Sequence, residues 1–317
     1  MAHTHVRTLV TRRSMETDGV VALDLQDPEL WPLPPFTAGA HVDIVLSDGL
    51  VRQYSLCGDP ADGARYRIAV LHAKDGRGGS AAVHRLDVGD TVLVSLPRNH
   101  FPIAEGAKRH IMLAGGIGVT PFLSMIPELR RRSEDFQLRL YTGGPESTPF
   151  METLAGLRDE GRVSIHHRLR DPANLAAFRE SLGRPEPGDH VYCCGPEPFM
   201  DLVADATRHW PEEAVHFERF RPPEPSGDPT ETGYVVELVR SGRSVPVGQG
   251  QSMADALKAA GIEIDTSCGA GTCGTCKTRY LAGTPVHRDL VLRRSERGKY
   301  LTPCVSGCTG GTIELDL

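Results

Sequence analysis

The stretch Cys268-Gly-Ala-Gly-Thr-Cys273-Gly-Thr-Cys276 decides how the rest of the chain is interpreted. Four residues separate its first two cysteines and two residues separate the next pair. A fourth candidate, Cys304, follows in Thr-Pro-Cys-Val-Ser. This is the plant-type spacing of a [2Fe–2S] cluster, which needs four converging thiolates. The glycines and threonines let the loop approach the cluster closely and leave backbone N–H groups for its sulfurs. The stretch therefore predicts an electron carrier.

A zinc site and a disulfide are the alternatives for these cysteines. A zinc ribbon usually contains two Cys-x2-Cys pairs. Here the second pair would be Cys304 and Cys308, which have three residues between them. The spacing favours the iron–sulfur cluster.

The composition is that of an ordinary globular chain of 317 residues, long enough for two or three domains. The net charge of −6 argues against a general nucleic-acid binder. No apolar run reaches the length of a membrane span (about 18 residues), and the N-terminus lacks a signal-peptide core. Eight cysteines in a chain of this length do not suggest a secreted disulfide scaffold. We expect a cytoplasmic protein that binds neither nucleic acid nor membranes.

Charge is unevenly distributed along the chain. From Thr232 onward there are ten Lys/Arg and eight Asp/Glu, a net of +2, which leaves −8 for the preceding residues. Five basic residues are concentrated near the C-terminus: Arg288, Arg293, Arg294, Arg297 and Lys299. They form either a solvated helix face or a docking surface for an acidic partner.

Residues 1–105 are predicted to form a small antiparallel β-barrel. Alternating runs such as 41–46 and 66–71 are separated by turn signals at 47–49 and 59–60. Short strands at such intervals are typical of a barrel.

Residues 106–221 show a different pattern, which predicts an α/β domain. Apolar strands that start near 109, 136, 162 and 190 alternate with helices predicted at 122–132, 151–160, 173–181 and 197–209. This alternation predicts a parallel, doubly wound sheet.

A proline-rich segment follows the α/β domain. Four prolines between 221 and 229 predict an interdomain linker, with bounds at 222–231. Residues 232–317 then form a third, α+β domain. It contains a hairpin through 234–247, a helix at 253–260, the cysteine loop and a final strand at 312–317.

Two motifs in the first domain can bind a flavin. In Arg52-Gln-Tyr54-Ser55-Leu56, the tyrosine offers an aromatic wall, the serine a polar donor and the arginine a cation for the phosphate. Arg77-Gly78-Gly79-Ser80 adds backbone N–H groups and a hydroxyl. Each motif alone has an alternative explanation. An exposed arginine and a buried strand tyrosine explain the first about as well, and a glycine turn explains the second.

Two motifs in the second domain can bind a nicotinamide nucleotide. Gly115-Gly116-x-Gly118-x-Thr120-Pro121 joins a strand to a helix N-terminus and suits a pyrophosphate, although a packing turn is the alternative. Cys194-Gly195-Pro196 ends a later strand, where α/β folds bind ligands. Cys194 can lie against the nicotinamide ring, or it can be a small buried residue like Cys193. Residues 142–146 carry no cation for a 2′-phosphate, which favours NADH.

Taken together and in this order, the motifs resemble the phthalate dioxygenase reductase family over nearly the whole chain. The similarity includes Phe217-Glu-Arg-Phe220, His287-Arg-Asp289 and the segment that starts Cys304-Val-Ser306. The resemblance implies a flavin barrel, a nicotinamide domain like that of ferredoxin–NADP reductases, and a plant-type ferredoxin (β-grasp) domain. One departure is Gly307-Cys308, where the family commonly has arginine after the serine.

The resemblance also implies the cofactors FMN, NADH and a [2Fe–2S] cluster. The matching iron ligands are Cys268, Cys273, Cys276 and Cys304. Thr120 and Phe220 match positions near the flavin ring, where the nicotinamide must also come, and we expect hydride transfer to take place between Thr120, Cys194 and Phe220. The expected cofactor-binding positions are Arg52, Tyr54, Ser55, Leu56, His72, Arg77, Gly78, Gly79, Ser80, Gly115, Gly116, Gly118, Thr120, Pro121, Cys194, Gly195, Pro196 and Phe220.

The expected function is that of an NADH-dependent reductase that splits a hydride into single electrons for a terminal oxygenase. The partner is either a Rieske-type non-haem iron enzyme or a cytochrome P450, bound transiently by a monomeric reductase. A redox sensor that binds nucleotide and cluster but turns over slowly is an alternative. A flavohaemoprotein-like reductase that acts alone is another, but it would have no need of the ferredoxin domain.

Overall fold

The computed structural model describes most of the chain in two compact units, Met1–Glu218 and Arg219–Leu317. The described residues are 5–46, 50–73, 76, 78–220, 233–266, 269, 271 and 274–317. The predicted linker at 222–231 lies outside them, and the predicted domain boundaries stay predictions. No helix in the described ranges is both long and apolar enough to cross a membrane.

An antiparallel sheet of six strands forms the N-terminal half of the first unit. Its strands are β1 (His5–Thr17), β2 (Val20–Gln26), β3 (His41–Val45), β4 (Val51–Ser55), β5 (Arg65–Leu71) and β6 (Thr91–Ser95). They lie in the order β4-β3-β6-β1-β2-β5, and a bridge between Leu56 and Ile68 connects the two edges. The alternating residues Val42 and Ile44 fill the interior, as period-2 strands of a barrel require. A short helix, α1 (Gly79–His84), follows β5.

A parallel sheet of five strands forms the C-terminal half of the first unit. Strands and helices alternate as β7 (Arg109–Gly115), α2 (Thr120–Arg131), β8 (Asp135–Thr142), α3 (Met151–Asp159), β9 (Val163–His167), α4 (Pro172–Ser181), β10 (Asp189–Cys194), α5 (Glu197–Ala206) and β11 (Val215–Glu218). The strand order is β11-β10-β7-β8-β9. The chain therefore changes direction across the sheet between β7 and β10, and ligands of such sheets bind at that switch point.

The helix predicted at 197–209 is shorter than expected. It ends at Ala206, and Pro211 lies five residues beyond that end. The proline restricts only its own backbone and that of Trp210. The helix ends earlier because Thr207 leaves helical backbone at φ −107° and ψ 13°, with its hydroxyl donating to the Val203 carbonyl at 2.8 Å. The periodicity of apolar residues in the sequence did not show where the helix would end.

The two halves of the first unit pack directly on each other. The Gly39 N–H donates to Ser124 Oγ at 2.9 Å, and the Ala104 N–H donates to Tyr192 Oη at 2.9 Å. The ring of Phe101 lies 5.9 Å from those of Phe122 and Tyr192. These contacts fix the position of the barrel relative to the parallel sheet.

The second unit is an α+β fold with one mixed sheet. Its elements are β12 (Tyr234–Leu238), β13 (Arg243–Val247), α6 (Met253–Ala259), β14 (Thr278–Val286), α7 (Arg294–Arg297), β15 (Tyr300–Leu301) and β16 (Gly307–Leu315). The strand order is β13-β12-β16-β14-β15, and β12 and β16 run parallel. Met253 and Leu257 of α6 pack on the sheet. The last strand starts earlier than predicted, because Gly307–Gly311 has no apolar alternation to signal it.

Candidate functional site

Arg52 lies against the first turn of α1. A Cβ added to Gly79 would lie 2.4 Å from Arg52 Nε, so the arginine side chain fills the space that any larger residue would need. The Ser80 hydroxyl accepts a hydrogen bond from the Ala73 N–H at 3.1 Å. A cation, backbone N–H groups and a hydroxyl converge here, which fits a phosphate group. Arg77, also predicted for this site, lies outside the described residues.

The other predicted flavin residues differ in their surroundings. Tyr54 packs partly against the barrel core, and burial raises its pKa to about 12 against the opposing effect of Arg52. Leu56 is fully buried in that core, and its N–H donates to the Ala40 carbonyl at 2.8 Å. His72 is exposed, with its ring 5.1 Å from the ring of His84. A neutral tyrosine ring at the rim of the barrel fits an aromatic wall.

Ser55 connects the barrel to the parallel sheet through Glu218. Its hydroxyl donates to Glu218 Oε2 at 3.2 Å. Burial raises the pKa of Glu218 to about 8, while the bond from Ser55 acts in the opposite direction. The sequence analysis did not select Glu218 as a site residue. Its only signal was its place in the Phe217–Phe220 motif, since 163 positions separate it from Ser55.

The two predicted nucleotide turns meet at the switch point of the parallel sheet. A Cβ added to Gly118 would lie 2.2 Å from the Cys194 carbonyl oxygen, and one added to Gly115 would lie 2.8 Å from Pro196 Cδ. Thr120 is buried at the start of α2, and its hydroxyl donates to the Ile117 carbonyl at 3.0 Å. The close approach leaves room only for glycine at position 118.

The Cys194 side chain is fully buried among apolar residues that include Ala114 and Val119. Burial, then the nearby charge of Glu218, raises the pKa of its thiol well above the ordinary value. Cys193 is also fully buried. Both cysteines therefore pack as small apolar residues, and contact of the Cys194 thiol with a nicotinamide ring stays a prediction.

Two further predicted positions bear on the nucleotide. Phe220 lies in the second compact unit and is 44% exposed. Its contact with a flavin ring stays a prediction. At the carboxyl end of β8, the Glu146 carboxylate lies over Gly144, 2.6 Å from the position of an added Cβ. A negative charge here disfavours a 2′-phosphate and fits NADH.

Cys276 and Cys304 come together in the second unit. Their sulfur atoms lie 3.2 Å apart, longer than a disulfide bond, although 28 positions separate the residues. No third Cys, His, Asp or Glu completes a metal-binding group within the ranges that the structure describes. Cys268 and Cys273 lie outside those ranges. The converging thiols fit two of the four expected ligands of an iron–sulfur cluster.

Cys308 lies in the core of the sheet of the second unit. Its Sγ donates to the Thr309 and Thr312 carbonyls at 3.3 and 3.4 Å, and it packs in the cluster that includes Ile313. Burial raises the pKa of its thiol. Of the two candidates for the fourth ligand, Cys304 is therefore the one that contacts Cys276.

Comparison with known proteins covers the same regions. Residues 236–309 match the 2Fe-2S iron-sulfur cluster binding domain and residues 112–205 match the oxidoreductase NAD-binding domain. The chain is 43% identical over 310 residues to the tert-butanol monooxygenase / tert-amyl alcohol desaturase reductase subunit of Aquincola tertiaricarbonis. The aligned region covers 94% of this chain and 92% of that protein.

Two further relatives extend this comparison. The chain is 42% identical over 298 residues to phthalate dioxygenase reductase of Burkholderia cepacia, which covers 93% of this chain and 92% of that protein. An intact type IV self-sufficient cytochrome P450 monooxygenase matches with a TM-score of 0.84 and 36% identity. The match covers 99% of this chain and 41% of that one.

The fold and these matches define an NADH-dependent oxidoreductase that combines a flavin barrel, a nicotinamide domain and a [2Fe–2S] domain. The chain belongs to the phthalate dioxygenase reductase family. Its cofactors are FMN, NADH and a [2Fe–2S] cluster. The predicted fold class, family and cofactors are confirmed.

Proposed function

We propose that this chain delivers electrons from NADH to a separate terminal oxygenase. The contact between Ser55 and Glu218 carries the proposal, since it joins the predicted flavin edge of the barrel to the carboxyl end of the nucleotide sheet, where Glu218 of the edge strand β11 pairs with Cys194 of β10. Hydride transfer requires the nicotinamide of NADH and the flavin ring to meet at such a junction. Cys268, Cys273, Cys276 and Cys304 would hold the [2Fe–2S] cluster, which would supply a one-electron exit to the acceptor.

When bound, FMN takes up two electrons with a hydride and releases them singly, which matches the one-electron capacity of a [2Fe–2S] cluster. The chain supplies binding and orientation. Arg52 and the first turn of α1 bind the FMN phosphate, and neutral Tyr54 packs against the ring. The turns at Gly118 and Gly195 admit the NADH pyrophosphate. The thiol of Cys194 is buried, so the residue contributes to the site through its backbone carbonyl against Gly118 and through the packing of its small side chain.

Glu218 controls the direction of the Ser55 hydroxyl in this proposal. Below about pH 8 the Glu218 carboxyl is protonated, so it can donate to Ser55 and leave the serine hydrogen for the flavin edge. Above that pH the carboxylate accepts the serine hydrogen itself. The state with protonated Glu218, in which the serine hydrogen is available to the flavin edge, is therefore present at low pH. It is lost as the pH rises through the raised pKa of Glu218.

We predict that NADH-driven flavin reduction slows roughly fivefold as the pH rises through about 8, the effect of losing one hydrogen bond of about 1 kcal/mol. Glu218→Gln should remove this step from the pH profile, and the exposed control Glu213→Gln should retain it. Rapid-mixing absorbance at the flavin band measures both. A profile with the same step in Glu218→Gln would contradict the assigned role.

The partner is proposed to be a separate oxygenase, bound transiently by a monomeric reductase. Two relatives are reductases of a monooxygenase/desaturase and of phthalate dioxygenase, and a third is a self-sufficient cytochrome P450. Both a Rieske-type enzyme and a P450 are therefore reasonable acceptors. The chain needs only to bring its cluster close to the acceptor.

An electron-transfer assay tests the proposed function. Holoprotein with NADH should reduce cytochrome c rapidly, and should support turnover of a Rieske oxygenase or a P450 from a panel. A redox sensor, the alternative, would consume NADH only slowly with any acceptor. Slow NADH consumption with cytochrome c and with every oxygenase of the panel would favour the sensor.

The basic residues of the second unit divide into two groups. Arg288 and Arg297 are half-buried and donate to the Val305 and Asp289 carbonyls at 3.2 and 2.9 Å. Arg293, Arg294 and Lys299 are exposed on or beside α7. The exposed group supports a docking surface for an acidic partner.

We predict that reduction of the oxygenase falls about tenfold from low to high salt, near the lower end of electrostatic steering effects. The double variant Arg293→Glu with Lys299→Glu should lose most of that dependence and bind more slowly. Lys258→Glu, an exposed charge change on α6, is the control. Salt-independent reduction would exclude docking at α7. Equal effects of the double variant and of Lys258→Glu would exclude it as well.

A further inference from the structure

Residues 287–292, which we name the clasp, touch both segments that carry cluster ligands. The Leu290 N–H donates to the Gly271 carbonyl at 2.9 Å, and Gly271 lies between Cys268 and Cys273 in sequence. Arg288 Nη1 donates to the Val305 carbonyl at 3.2 Å, one residue after Cys304. The clasp therefore joins the three-cysteine loop to the segment with the fourth cysteine.

The three segments meet at a single point. A Cβ added to Gly271 would lie 2.6 Å from Val305 Cγ2 and 3.0 Å from Asp289 Cα. A shift of Asp289 would therefore displace the backbone between the first two cysteines, the Cys304 segment, or both. Such close packing transmits displacement because protein interiors have little free volume.

Asp289 holds the clasp in shape from within. Its side chain has no exposed surface, and Oδ2 accepts the Leu292 N–H at 2.8 Å. Arg297 Nη2 lies 3.9 Å from Oδ2 and donates to the Asp289 carbonyl. His287 Nδ1 lies 3.5 Å from Oδ1, and His287 Nε2 lies 3.0 Å from the Arg297 carbonyl. A buried carboxylate is thus set between an arginine and a histidine.

The fully buried Asp289 carboxylate should act on a bound cluster more strongly than a surface charge does. A buried charge is screened less than an exposed one, so the loss of one partner leaves a large uncompensated field. An electron added to the cluster is destabilised by the Asp289 carboxylate and stabilised by the Arg297 guanidinium. The reduction potential of the cluster should therefore respond to the two residues with opposite sign.

We propose that Asp289 is a positioning residue for the [2Fe–2S] cluster, and that Asp289 and Arg297 together set its reduction potential. The inference rests on the proposed assignment of the four cysteines as ligands. Asp289 fixes the clasp, and the clasp fixes the spacing of the two ligand segments. Protein groups outside the ligands are known to tune clusters through charge and hydrogen bonding.

The test is a reductive titration of purified holoprotein with dithionite and redox mediators. Asp289→Asn should raise the cluster midpoint potential by about 59 mV, a tenfold change in the one-electron equilibrium. Arg297→Gln should lower it by a smaller amount, because the Arg297 side chain is 39% exposed and its charge is more strongly screened. The control Asp316→Asn removes a carboxylate outside the clasp that pairs with Arg240 at 2.7 Å, and it should leave the potential unchanged. The electron paramagnetic resonance spectrum of each reduced variant reports the ligand geometry.

Opposite shifts in Asp289→Asn and Arg297→Gln with an unchanged control would support the proposal. Unchanged potentials and spectra in both variants, or shifts of the same sign, would overturn it. If Asp289→Asn does not retain a cluster, Arg297→Gln decides: a lowered potential supports the proposal and an unchanged one contradicts it. The titration uses neither NADH nor an oxygenase, so its failure is distinct from failure of electron delivery to a partner.

Discussion

Replacement of Cys276 by serine is expected to abolish one-electron transfer to cytochrome c while NADH still reduces the flavin. Cys276 is buried with its sulfur 3.2 Å from that of Cys304, so the substitution removes one of two converging thiols. Changes to residues that only support metal ligands typically cost 10–100-fold, and loss of a ligand should cost about 100-fold or more. Cytochrome c reduction and rapid-mixing absorbance at the flavin band measure the two activities separately.

Cys308 provides a matched control for this experiment. It is buried in the same unit, but its sulfur bonds to carbonyl groups of the sheet. Cys308→Ser should keep the cluster and the cytochrome c activity, and Cys304→Ser should behave like Cys276→Ser. Loss of the cluster in Cys308→Ser with retention in Cys304→Ser would mean that the fourth ligand was assigned to the wrong cysteine.

Replacement of Gly118 by alanine is expected to slow hydride transfer about 100-fold, the effect of a displacement of about 1 Å in a reacting pair. The new Cβ would lie 2.2 Å from the backbone oxygen of Cys194 and 2.7 Å from the Gly195 N. Neither atom belongs to a flexible side chain, so one of the two nucleotide turns must move. Overpacking of this kind also costs about 1–3 kcal/mol of folding free energy. The flavin reduction rate at saturating NADH and denaturant unfolding measure the two effects.

Gly156→Ala is the control for the glycine substitution. Gly156 is exposed within α3 (Met151–Asp159), and an added Cβ would meet nothing within 4 Å. Alanine favours the helix there by about 0.4–1 kcal/mol and should leave hydride transfer unchanged. Equal rates in the Gly118 and Gly156 variants would show that the contact between the two turns is unimportant for catalysis.

The fold could be predicted from the sequence because its signals are local. The alternation around Val42 and Ile44 indicated the barrel, and the strand–helix alternation after residue 106 indicated the parallel sheet. The helix α1 was missed because Arg77-Gly-Gly-Ser80 has the composition of a turn. The backbone shows that a helix begins there, since the Ala82 N–H donates to the Gly78 carbonyl at 2.9 Å.

The site was less predictable because its contacts join distant parts of the chain. Glu218 meets Ser55 only after β11 adds to one edge of the parallel sheet and β4 forms one edge of the barrel. The basic residues near the C-terminus looked alike in sequence, yet Arg288 and Arg297 bind backbone carbonyls while Arg293 stays exposed. The local spacing of residues in the sequence does not show which distant side chain or carbonyl a residue contacts in the folded chain.

Single-turnover reduction by NADH under anaerobic conditions tests the central claim most directly. Holoprotein should show loss of flavin absorbance first and loss of cluster absorbance in a later phase. Protein stripped of FMN should keep an oxidised cluster in the presence of NADH. Reduction of the cluster by NADH at the same rate with and without FMN would contradict the order of electron transfer from NADH through FMN to the cluster.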